Sequence, residues 1–130
     1  MALTEKTVYQ IEVNRDDEIH VRRTRVIMDA GEEISQTHHR HVISPGADYS
    51  AESPRVRRIC QQMHIPEAIA LRSARMDLRD KREAVQSAQT NFNADPSPAN
   101  QTLLDDAIAE RVTAKATFDA AQAAYDLAIA

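Results

Sequence analysis

The sequence predicts an α+β protein in two parts. Residues 1–64 read as a three-stranded antiparallel meander with a short helix, and residues 65–130 as a long C-terminal antiparallel helical hairpin packed as a coiled coil. Three observations carry this prediction. Apolar and polar residues alternate through the first third of the chain, with turn-forming residues between the runs. Alanine then recurs every seventh residue at Ala107, Ala114, Ala121 and Ala128, beside Leu104, Phe118 and Tyr125 on the same spacing, with Arg111 in the remaining place. All five prolines fall at boundaries between these elements, and the segment from Ile65 onward contains no glycine.

Taken in order, β structure is read from Thr7 to Ile43. Tyr9, Ile11 and Val13 share one face of the first strand and alternate with Gln10 and Glu12. Asn14-Arg15-Asp16-Asp17 supplies a turn. The second strand runs from about Glu18 to Met28. Ile19, Val21 and Ile27 have one parity, Val26 and Met28 the other, which signals a bulge or a strand covered on both faces. Asp29-Ala30-Gly31 makes the next tight connection, with Gly31 suited to a positive φ. The third strand, from about Glu33 to Ile43, stops at Ser44-Pro45-Gly46, and His20 is expected opposite or next to His41.

Three strands this polar need a cover. Ser53-Pro54 is a helix start, an N-cap followed by proline at the first helical position. Val56, Ile59, Cys60 and Met63 then supply an amphipathic stripe. His64-Ile65-Pro66 ends that helix and opens the first long arm, Pro66 to about Phe92, where Leu71, Leu78, Val85 and Phe92 are again seven apart, next to Ala74 and Ala88. The hairpin turn is placed at 93–97, and Ser97-Pro98 restarts the helix. Folding about that turn sets Val85 near Asp106 and Leu71 near Ala120.

Composition narrows the function. The chain has 130 residues, no Trp, and Tyr9, Tyr49, Phe92, Phe118 and Tyr125 as its aromatics. Alanine buries little area, so arms this rich in it call for a partner, within the chain or in another subunit. The formal charge of −4 is mild and spread along the chain, which speaks against nucleic-acid binding. The single Cys60 excludes an internal disulfide framework. The first residues lack a signal peptide's apolar run and no segment reaches membrane-spanning length, so the expectation is a soluble protein made in the cytoplasm with no membrane partner.

The candidate sites each have a structural alternative. His39 and His41 share a strand face, and with His20 they can offer imidazoles to a metal, which a threefold axis would multiply. No cysteine or carboxylate stands at ligand spacing in the same segment, so no metal and no other cofactor is expected, and the histidines read as packed or exposed side chains. Arg22, Arg23, Arg25, Arg40, Arg55, Arg57 and Arg58 can meet a carboxylate-rich partner surface or a phosphate backbone, or pair with nearby acids, and aromatics to stack on bases are missing. Cys60 and His64 stand four apart, but no oxyanion-stabilising loop accompanies them, so the chain is not expected to be an enzyme. The candidate protein interface is Leu104, Ile108, Phe118, Tyr125 and Ile129 on the second arm with Leu71, Leu78 and Val85 on the first. Ile108 and Ile129 widen the apolar stripe, as joining subunits would require.

Glu33-Ile34-Ser35-Gln36-Thr37, His39-Arg40-His41-Val42, Pro45-Gly46 and Asp48-Tyr49-Ser50, followed by Val56, Ile59-Cys60 and His64-x-Pro66-Glu67, resemble a group of small virion- and tail-associated structural proteins of tailed bacteriophages, with a β N-terminus and a helical C-terminal tail. The resemblance implies a non-enzymatic virion protein, a fibre, collar or tail-attached component, that docks on other phage structural proteins; the alanine-rich helices add the expectation of a homo-oligomer, such as a trimer. The alternative from the residues alone is an intracellular coiled-coil adaptor or regulator that binds a partner protein's helix.

Overall fold

A computed structural model describes residues 3–130, which divide into two compact units, one ending at Ile65 and one from Pro66 to Ala130. The chain is α+β, a three-stranded antiparallel sheet followed by three helices.

In the first unit, β1 (Leu3–Val13), β2 (Ile19–Asp29) and β3 (Glu32–Ile43) form a meander in the order β1-β2-β3. β1 starts four residues before the alternation becomes clear in the sequence, because Leu3 to Lys6 pair with Asp29 to Val26. Pairing, rather than side-chain pattern, extends the strand. At the first turn the Asn14 side-chain oxygen accepts the N–H groups of Asp16 and Glu18, both at 3.0 Å, and Asp17 takes a positive φ of 57°. At the second, Ala30 and Gly31 both have positive φ (50° and 85°), as a two-residue turn matched to strand twist requires.

The β2–β3 ladder is interrupted between Ile27 and Met28. Ile27 faces Ser35 and Met28 faces Glu33, leaving Ile34 as an extra residue in β3. Beyond the bulge His20 therefore pairs with Val42, and Val21 with His41. Of the expectation that put His20 opposite or next to His41, the opposite pairing is corrected: His20 stands one residue out of register, across from Val42. Carried on unbroken from the turn, the ladder would have paired them, but one extra residue advances β3 by one and exchanges its faces.

The core of this unit lies at one end of the sheet. Helix α1 (Pro54–Met63) is capped by the Ser53 hydroxyl, which accepts the Val56 N–H at 3.5 Å. Its Val56 and Cys60 are fully buried with Ile19, Val21 and Ile43, and Ile11, Tyr49, Ile59 and Met63 pack around them. Burying this set supplies the unit's main stabilisation. Apart from the half-buried His41, the rest of both outer strands is exposed. Thr24 and Val26 are also buried, on the opposite face of β2, where central-strand residues are flanked by neighbours from both sides.

The second unit contains α2 (Pro66–Ala94) and α3 (Pro98–Ile129), which pack against each other. The connection is short and tightly bonded. The Ser97 hydroxyl accepts the Asn100 N–H at 3.2 Å, and Asn100 Nδ2 donates to the Asp95 carbonyl at 2.8 Å. Lys81 reaches Glu110 across the pair at 3.4 Å. Ala68, Leu71, Ala74 and Leu78 are the buried residues of α2, and Leu104 and Ala114 those of α3. Among the described residues no helix is long and apolar enough to cross a membrane.

Candidate functional site

Register sorts the polar residues of the sheet onto two faces, because directly opposed residues project the same way. The α1 face carries Tyr9, Arg23 and His39 in one row and Ile11, Val21 and His41 in the next. The other carries Gln10, Arg22 and Arg40 in one row, flanked by Glu12, His20 and Val42 on one side and Val8, Thr24 and His38 on the other.

On the α1 face, His39 and His41 are neighbours, with ring centroids 6.0 Å apart. His41 Nε2 bonds Glu52 Oε1 at 2.8 Å, so the loop before α1 is tied to β3. These residues, with Tyr9 and Arg23, border a concavity of about 250 Å³. Arg25 forms a two-pronged pair with Glu5, Nε to Oε1 at 2.6 Å and Nη2 to Oε2 at 2.9 Å. That bonding holds the Glu5 carboxyl below its ordinary range and raises the Arg25 guanidinium.

The histidines do not converge. His20 lies on the face away from His39 and His41, and its Nε2 sits 3.3 Å from Asn14 Nδ2. His38 Nδ1 shares a hydrogen bond with the Thr24 hydroxyl at 2.9 Å. Among the described residues, no group of three His, Cys, Asp or Glu side chains could hold a metal ion.

Nor do Cys60 and His64 form a nucleophilic pair. His64 Nε2 donates to the Asp17 carbonyl at 2.8 Å, while its Nδ1 is buried without a partner. Cys60 is fully buried, and burial, assisted by the charge of Glu52, pushes its thiol pKa up, away from the reactive thiolate.

Of the residues proposed for a protein interface, Leu71, Leu78 and Leu104 are withdrawn from solvent within the single chain. Val85, Ile108, Phe118 and Tyr125 are half-buried, and Ile129 is 59% exposed. Sequence spacing alone does not mark Leu103, Val112 and Leu127, which the structure leaves exposed, Leu127 at 80%. They fall outside the seven-residue repeats.

The row Gln10–Arg22–Arg40 is also invisible in the linear sequence, since its members meet only through the bulged register. Two like charges directly opposite weaken a ladder. Arg22 Nε is shielded from solvent and lacks an acceptor, an arrangement that costs about 1–3 kcal/mol unless something satisfies it. An open concavity of about 270 Å³ lies over this row. Comparison with protein-family models, curated proteins and solved structures returns no match for the chain.

Proposed function

We propose that the protein is a non-enzymatic structural component that acts by self-association and by docking on other structural proteins. Following the resemblance carried by residues 33–67, its setting is a tailed-phage virion, as a fibre, collar or tail-attached piece. The observation that supports this most is the disproportion between the sheet and its core. Strands of 11, 11 and 12 residues meet helical cover only near Ile11, Ile19, Val21 and Ile43. Beyond it, Leu3, Val8, Tyr9 and Ile34 stand exposed, and among the described residues both outer strands have an edge without a partner strand. Long uncovered edges are templates for adding further strands. On this reading α2 and α3 form a coiled-coil hairpin of about 43–48 Å at 1.5 Å per residue, a spacer whose alanines let the two backbones approach.

Light scattering with mass determination tests the proposal, and a stable symmetric oligomer such as a trimer is the expected result. Detection in purified particles is expected as well, and absence from them overturns the virion setting. A monomer at micromolar concentration overturns self-association. That result leaves the adaptor reading, in which the groove bordered by Leu78, Arg82, Arg111, Val112 and Lys115 receives an acidic helix.

A further inference from the structure

We propose that the sheet face opposite α1 carries an oxyanion site of phosphate chemistry, held between the guanidiniums of Arg22 and Arg40. The two residues are direct cross-strand partners, so their side chains leave the same face side by side. Arg25, on the other face, has Glu5 as a two-pronged partner. Among the described residues, neither Arg22 nor Arg40 has a carboxylate within ion-pair distance. Between the rows Lys6–Val26–Gln36 and Glu12–His20–Val42, this face sets Lys6, Arg22 and Arg40 against Glu12 as its one acid.

Gln10, beside Arg22 in the row, adds amide donors. The concavity over the row, about 270 Å³, has room for a tetrahedral anion with attendant water. Guanidinium forks match phosphate oxygens in pairs, and a dianion neutralises both cations at once. A single carboxylate would neutralise one and leave the repulsion half relieved. The site thus offers a reason for two arginines to stand opposite each other in a ladder that like charges otherwise weaken.

The test is a titration of the full chain with inorganic phosphate at constant ionic strength, followed by NMR of the arginine Nε–H groups and by calorimetry. The expected result is saturable one-to-one binding that shifts Arg22. Arg22→Gln and Arg40→Gln should each weaken it by about tenfold or more, the loss of one charge-assisted contact. Glu12→Gln should tighten it by removing the competing carboxylate, and an unchanged or weaker affinity in that variant counts against the site. Phosphate should raise the Tm of the unsubstituted protein but not of Arg40→Gln. In phosphate-free buffer Arg40→Gln should unfold no earlier than the unsubstituted protein, which separates a binding role from a purely structural one. Equal shifts from chloride at matched ionic strength, unchanged affinity in both arginine variants, or preference for succinate over phosphate would each overturn the proposal.

Discussion

His64 joins the end of α1 to the first β turn through one hydrogen bond, Nε2 to the carbonyl of Asp17, a residue already held at positive φ. Its ring also meets Tyr49 edge-on, with centroids 6.4 Å apart. Removing it leaves a carbonyl without its donor in a poorly hydrated place. His64→Ala should therefore cost about 1–3 kcal/mol in urea unfolding, and His64→Gln, which keeps an N–H donor, should recover part of the loss. A neutral His64→Ala would mean that water replaces the ring at no cost. Cys60, one helical turn earlier, gives a pH signature. Its thiol pKa is raised above the ordinary 9.0 by burial first and then by the charge of Glu52. A raised acid favours the neutral form in the fold, so its contribution is complete below the unfolded pKa and is lost as pH rises through the folded one. Urea midpoints measured from pH 8 upward should fall on the alkaline side, and less steeply in Cys60→Ala. The native thiol should resist a disulfide reagent until denaturant is added. Rapid labelling of the folded protein would contradict its burial.

At the scale of elements, the prolines, the N-cap serines and the turn residues were legible because each acts locally. Ser53-Pro54 and Ser97-Pro98 open helices where local chemistry requires them to. The parity switch in β2 was legible too, as a bulge or a strand covered on both faces: β2 buries Val21 and Val26 on opposite faces, and the ladder's irregularity puts its extra residue in β3. Its consequence was not. Whether the extra residue lies in β2 or β3 is decided by pairing, and the insertion of Ile34 in β3 moved His20 to the opposite face from His41 and set Arg22 against Arg40. A site whose members meet through long-range register leaves no signal in sequence spacing. The alanine repeat was readable as a pattern, but its positions are unequal in burial. Ala114 is 4% exposed, whereas Ala121 is half-buried. Ala114→Leu should consequently destabilise by about 1–3 kcal/mol through overpacking, and Ala121→Leu by less. Thermal or urea unfolding of the two variants measures the difference, and equal or reversed costs would place the close approach of α2 and α3 elsewhere.

At the scale of the whole molecule, the proposed self-association turns on which exposed apolar residues would drive it. In the helical unit, Val112 and Leu127 are 15 residues apart, about 22 Å along α3, too far to form one patch. Single exposed apolar residues of this kind are ordinary on protein surfaces. In the sheet, exposed side chains at Val8 and Ile34 accompany strand edges with no strand beside them, so an added strand gains both ladder hydrogen bonds and apolar contact. Charged residues on an edge strand block such pairing. The double variant Val8→Lys with Ile34→Lys should therefore lower the mass found by light scattering toward that of one chain, with the circular dichroism of the helices retained. Val112→Lys with Leu127→Lys should leave the mass unchanged. If the helix variant dissociates the assembly and the sheet variant does not, the interface belongs to α3, and the bare strands require another explanation.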